Sequence, residues 1–109
     1  MACHVVYTEM LIAELVIVPV GTGTPSVSKY VARAIAELKA MGLQPEVTAM
    51  GTIFETDDIV VVLEACRRVH ESVFELGAQR VVTTLRLDER RDKAGSIEQK
   101  VRAVASELP

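Results

Sequence analysis

The sequence predicts an α+β domain: a ferredoxin-like βαββαβ antiparallel sheet in the order 4-1-3-2, with an additional C-terminal helix. Three observations carry that expectation. Strand-sized apolar or β-branched segments stand near Leu11–Val18, Val47–Phe54 and Arg80–Leu87. Two amphipathic helical patterns of similar length lie between them. Each pattern bridges a pair of strands, the split-βαβ arrangement in which both helices cover one face of the sheet.

Met1 to Glu9 shows no clean period and reads as an extension, so the domain is expected over 10–109. From Leu11 to Val18 the chain is almost continuously apolar, broken only by Glu14, and the Gly- and Pro-rich stretch Pro19 to Pro25 ends that strand. Val27, Val31, Ala34, Ile35, Leu38 and Met41 then recur at helical spacing, which predicts a helix from about Pro25 to Met41 with Gly42 as its stop. Val47 to Phe54 reads as two short strands folded at Met50-Gly51. Asp57 or Asp58 can cap a second helix, whose stripe is Ile59, Val62, Leu63, Cys66, Val69, Val73 and Leu76. A fourth strand follows over Arg80–Leu87. Ser96 with Gln99 forms a capping box for a last helix with a narrow stripe of Ile97, Val101, Val104 and Leu108.

A chain of 109 residues, half of them apolar, supplies one core and has no room for a second domain. The net charge of −3 argues against a nucleic-acid partner, because phosphate contacts need clustered Lys and Arg. The basic cluster of Arg86, Arg90, Arg91 and Lys93 is interleaved with Asp88, Glu89 and Asp92. No apolar run has the length of a membrane helix. Two cysteines, Cys3 and Cys66, make no disulfide framework, and the first residues lack a secretory pattern, so a cytoplasmic location is expected.

The first strand puts Leu11, Ala13, Leu15 and Ile17 on one face and Ile12, Val16 and Val18, with Glu14, on the other. A half-solvated sheet would alternate apolar with polar. Two apolar faces predict that the second is covered by the last helix or by another subunit, hence a homo-oligomer, a tetramer.

Four blocks then carry a resemblance. Glu14-Leu15-Val16-Ile17-Val18-Pro19-Val20-Gly21-Thr22-Gly23, Ser28-Lys29-Tyr30-Val31-Ala32, Met50-Gly51-Thr52-Ile53-Phe54-Glu55 and Val82 to Lys93 resemble successive blocks of the small YkoF-like thiamine-binding proteins. The resemblance spans Met10 to about Leu108. It implies a ferredoxin-like fold, homo-oligomers, and non-catalytic binding of thiamine or its hydroxymethylpyrimidine precursor as ligand, with no further cofactor.

The loop Gly21 to Ser26 is dense in hydroxyls and backbone donors at a helix start, and it lacks the Lys of a Walker A loop. Its plain reading is a tight turn with Thr24 or Ser26 as the helix cap. The expected topology, however, brings it to the same end of the sheet as the Met50-Gly51 fold, so Thr22, Thr24, Ser26, Met50 and Thr52 are candidates for one ligand pocket. Hydroxyls would read the edge of a pyrimidine while Met50 packs on its face. Glu46 is the candidate carboxylate for a cationic thiazolium and is better placed than Glu55.

Glu14 is expected to pair with Arg86 on the neighbouring strand, and Asp88 and Arg90, with Asp92, to join an ion-pair network, all at an oligomer interface. His70 and His4 lack companions at metal-ligand spacing, so no metal is expected. Cys66 reads as a core residue rather than a nucleophile. No catalytic triad or carboxylate pair stands out, so the chain reads as a binder rather than an enzyme. The rival readings are a small acylphosphatase-like hydrolase, whose phosphate loop would need a basic residue absent here, and a structural or regulatory subunit without ligand.

Overall fold

The computed structural model describes residues 10–93 and 95–109. The segment read as an extension, 1–9, lies outside the described residues. The elements are β1 (Leu11–Pro19), α1 (Ser28–Ala40), β2 (Glu46–Val47), β3 (Thr52–Thr56), α2 (Ile59–Glu75), β4 (Val81–Glu89) and α3 (Ile97–Glu107). The four strands of the described residues join one antiparallel sheet in the order β2-β3-β1-β4, which is the expected order read from the other edge. The fold is the ferredoxin-like α+β arrangement with a C-terminal helix added.

β1 organises the core because it lies between β3 and β4 and alternates strictly in burial. Leu11, Ala13, Leu15 and Ile17 are buried on the face that α1 and α2 cover. α1 contributes Tyr30, Ala34 and Leu38 at four-residue spacing, and α2 contributes Val62, Ala65, Val69 and Val73. Phe54 of β3, opposite Ala13, fills the middle with no exposed surface. Burying each large apolar side chain stabilises the fold by roughly 1.5–3 kcal/mol. Ser72 is also buried, and its hydroxyl donates to the Val69 carbonyl at 2.6 Å, so it brings no unpaired polar group into the core.

The helix ends follow their sequence signals with one exception. The Asp58 carboxylate accepts from the Val60 amide at 2.8 Å, and the Ser96 hydroxyl from the Gln99 amide at 3.1 Å. α1 and α2 both close in a Schellman turn on a glycine of positive φ: Gly42 with Leu43 N to Leu38 O, and Gly77 with Ala78 N to Val73 O. The exception is the start of α1, which begins at Ser28 rather than near Pro25, behind Val27 and without a side-chain cap. The hydroxyls expected there are engaged locally. Thr24 accepts from Ser26 N at 3.2 Å, and Thr22 donates to the Thr24 carbonyl at 3.0 Å.

The stripe of α2 is rotated from the expected one. Ile59 and Leu63 are exposed, while Ala65 and Ser72 are buried. Five consecutive apolar residues, Ile59 to Leu63, give no periodicity, so the sequence could not orient the first turn. The apolar stripe of α3 is not buried either, for Val101, Val104 and Leu108 are 63%, 63% and 66% exposed. α3 is tied to the sheet at its first turn, where the Ile97 amide donates to Glu55 at 2.8 Å and Lys100 pairs with Asp88. Glu55 and Asp88 both face Ile12 across β1, so α3 begins over one end of the sheet's open face. Val18 and Val82, at the other end, stay exposed. Among the described residues no helix is long and apolar enough to cross a membrane.

Candidate functional site

A mismatch in strand length creates the principal cavity. β1 has nine residues and β3 five, and their pairing ends at Leu15 opposite Thr52. Among the described residues, Val16 to Val18 therefore have β4 along one edge and no strand along the other. α1 and the turn between β2 and β3 close around that gap and leave a cavity of about 310 Å³. Its walls are Leu15 to Val18 of β1, Val27, Val31, Ala34 and Leu38 at α1, Val69 of α2, and Thr48 to Thr52. None of these side chains is ionisable.

The turn that forms the outer wall is held by Thr48. Its hydroxyl accepts from the amides of Met50 and Gly51, at 3.2 and 3.0 Å, and lies 2.9 Å from the Gly51 carbonyl. Thr48 N donates to that same carbonyl at 2.9 Å. Gly51 sits close against β1. A Cβ at this position would lie 3.1 Å from Val16 Cγ2 and 3.4 Å from the Leu15 carbonyl, so glycine lets the hairpin approach the strand. Met50 is 82% exposed at the rim, a flexible thioether free to pack on a flat ring. Thr52 is only 6% exposed, and among the described residues its hydroxyl has no hydrogen-bond partner.

Of the five residues expected at one pocket, Met50 and Thr52 line this cavity. Thr22, Thr24 and Ser26 do not. They form a self-bonded turn at the start of α1, from which Val27 reaches the cavity instead. Glu46 opens β2 opposite Ile53 and is also outside the lining, and Glu55 accepts from Ile97 at the open face. Val27, Val31, Ala34 and Leu38 also line the cavity, which sequence did not indicate because an apolar helical stripe is ordinarily core. The available signal was the disparity between the long first strand and the short strands of the hairpin.

A second, shallower hollow of about 240 Å³ lies on the open face, lined by Ile12, Glu14, Ile53, Arg86, Leu87, Asp88 and Lys100. Glu14 and Arg86 stand opposite each other and pair at 3.4 Å. Arg90 instead forks onto Asp92 with two contacts of 2.6 Å, which hold the Asp92 carboxyl at about 2. Both pairs thus close within one chain.

His70 binds the Thr83 hydroxyl through Nδ1 at 2.7 Å and meets Phe74 edge-on at 5.3 Å, the surroundings of a packing histidine. Burial pushes the Cys66 thiol up from its ordinary value, which keeps it protonated and a poor nucleophile. Among the described residues no cluster of three His, Cys, Asp or Glu side chains could hold a metal ion.

Known proteins share both sequence and fold with this chain. A UPF0045 protein of Methanothermobacter thermautotrophicus is 39% identical over 99 residues, covering 91% of this chain and all of that one. A UPF0045 protein of Bacillus subtilis is 39% identical over 105 residues, covering 91% of this chain and 98% of the other. The crystal structure of a hypothetical protein from Methanocaldococcus jannaschii superposes with a TM-score of 0.81 at 41% identity, over 91% of this chain and 98% of that one. The sequence model described as "Thiamine-binding protein" matches residues 13–105, and the chain belongs to that family.

Proposed function

We propose that this chain is a non-catalytic, homo-oligomeric binding protein of the cytoplasm whose ligand is thiamine or the hydroxymethylpyrimidine half of it. The observation that carries the reading is the cavity beside β1. It is largely apolar, of a size for one substituted ring, and lined by Thr52, whose hydroxyl has no hydrogen-bond partner among the described residues. Family membership supplies the chemical class. Thr52 supplies a polar contact to the pyrimidine edge and Met50 covers its face. A thiazolium would lie beyond the rim, since among the described residues no carboxylate lines the cavity to meet a cation.

The oligomer is supported by apolar surface left open in one chain. Val18 and Val82 on the sheet and Val101, Val104 and Leu108 on α3 are all exposed. A tetramer would bury both parts of that surface and would place Glu14, Arg86, Asp88 and Arg90 at the subunit contacts.

Calorimetry with thiamine and with hydroxymethylpyrimidine tests the binding reading. Saturable heat with at least the pyrimidine is expected. Absence of heat and of any thermal stabilisation with both compounds would overturn it.

A further inference from the structure

The unpaired edge of β1 can be assigned atom by atom. In an antiparallel ladder each residue aims its N–H and C=O at one edge, and the next residue aims both at the other. Val20 N donates to Arg80 O at 2.8 Å, which continues the register that sets Pro19 against Val81. Even-numbered residues of β1 therefore address β4, and odd-numbered residues address β3.

Leu15 is the last odd-numbered residue with a β3 partner, Thr52. Its carbonyl faces the hairpin, consistent with the 3.4 Å approach at Gly51. The next is Ile17, whose counterpart in register would be Met50. The Met50 amide is turned back onto the Thr48 hydroxyl, so the ladder stops. The N–H and C=O of Ile17 thus look into the cavity without a partner among the described residues. Beyond it, Pro19 has no N–H to offer.

A buried backbone donor and acceptor require partners, and the neighbouring walls provide none. One residue of an extended strand presents N–H and C=O side by side, which complements a ring nitrogen flanked by an exocyclic amine. Thr52 lies on the same side, and its hydroxyl, open to a ligand, has no hydrogen-bond partner among the described residues. We propose that the Ile17 backbone is the reading edge of this cavity. Its N–H donates to a ring nitrogen and its C=O accepts from the adjacent amine of a flat, uncharged aminopyrimidine, while the Thr52 hydroxyl makes a third contact. The proposal rests on the binding reading above and adds which ring edge is read, and by what.

The test uses the full ¹⁵N-labelled chain, titrated with hydroxymethylpyrimidine and with its analogue in which hydrogen replaces the amino group. The parent compound should move the Ile17 amide proton downfield. The analogue should bind at least threefold to tenfold more weakly, the ordinary cost of one polar contact. Binding of the parent compound with the Ile17 amide unmoved, or equal affinity for the analogue, overturns the edge assignment and leaves the binding function standing. If neither hydroxymethylpyrimidine nor thiamine perturbs any amide of the cavity walls, the binding reading falls and this assignment with it.

Discussion

Thr52 places in a largely apolar wall a hydroxyl that no other described residue engages, which leaves it to water or a ligand. Its neighbour in the turn, Thr48, shows the alternative, a hydroxyl fully engaged in holding backbone. The two threonines therefore respond differently to the same kind of change. Thr52→Val keeps the volume and the strand preference, so the melting temperature should hold or rise. Affinity for hydroxymethylpyrimidine should fall by roughly threefold to tenfold, with calorimetry as the measure. A marked loss of thermal stability would instead make the hydroxyl a structural group, and unchanged affinity would move the ligand away from this wall.

At the scale of elements, what sequence could show was set by whether a feature is local. Helix caps and stops are local, and Asp58, Ser96, Gly42 and Gly77 all act where their residue types indicate. The stripe of α1 was equally visible in Val27, Val31, Ala34 and Leu38. Whether that stripe meets a strand or a gap depends on where β3 begins, and only the tertiary register of Leu15 with Thr52 fixes it. The hydroxyl-rich loop stands outside this cavity's lining for a related reason. Composition counts the donors at Thr22, Thr24 and Ser26 but cannot show that Thr22 and Thr24 are spent on the loop's own backbone. The outer face of α2 yields a pH prediction from local spacing. Hydrogen bonds from Arg67 and then Arg68 lower the Glu64 carboxyl from 4.5 to about 2. A depressed carboxylate contributes stability at pH values above its unfolded value and loses it as pH falls through the folded one, so the relevant window is about 4.5 down to about 2. The pair is exposed and its effect on unfolding should be small. Carbon-detected NMR should place the Glu64 midpoint near 2, and Arg67→Gln should raise it. A midpoint at the ordinary value in the parent chain would mean that the arginines do not hold it in solution.

For the whole molecule, the two faces of the sheet pose different questions. The helix-covered face buries its apolar side chains within one chain, whereas the open face keeps Val18 and Val82 facing each other across β1 and β4 and both exposed. α3 is fastened at Ile97 and Lys100, yet among the described residues its stripe of Val101, Val104 and Leu108 finds no cover. Such surface is ordinary when scattered and consequential when contiguous, because burying it against a second copy removes apolar area from water at roughly 25 cal/mol per Å². Val82 separates assembly from ligand binding, since it is 48% exposed and is not part of the cavity wall. Val82→Asp should therefore leave the helical circular dichroism intact while light scattering reports a fall from the parent assembly to a particle of one chain's mass. A parent chain already monomeric at micromolar concentration would refute the oligomer. An unchanged assembly in the variant would place the subunit contact on another face, and the exposed stripe of α3 is the surface to alter next.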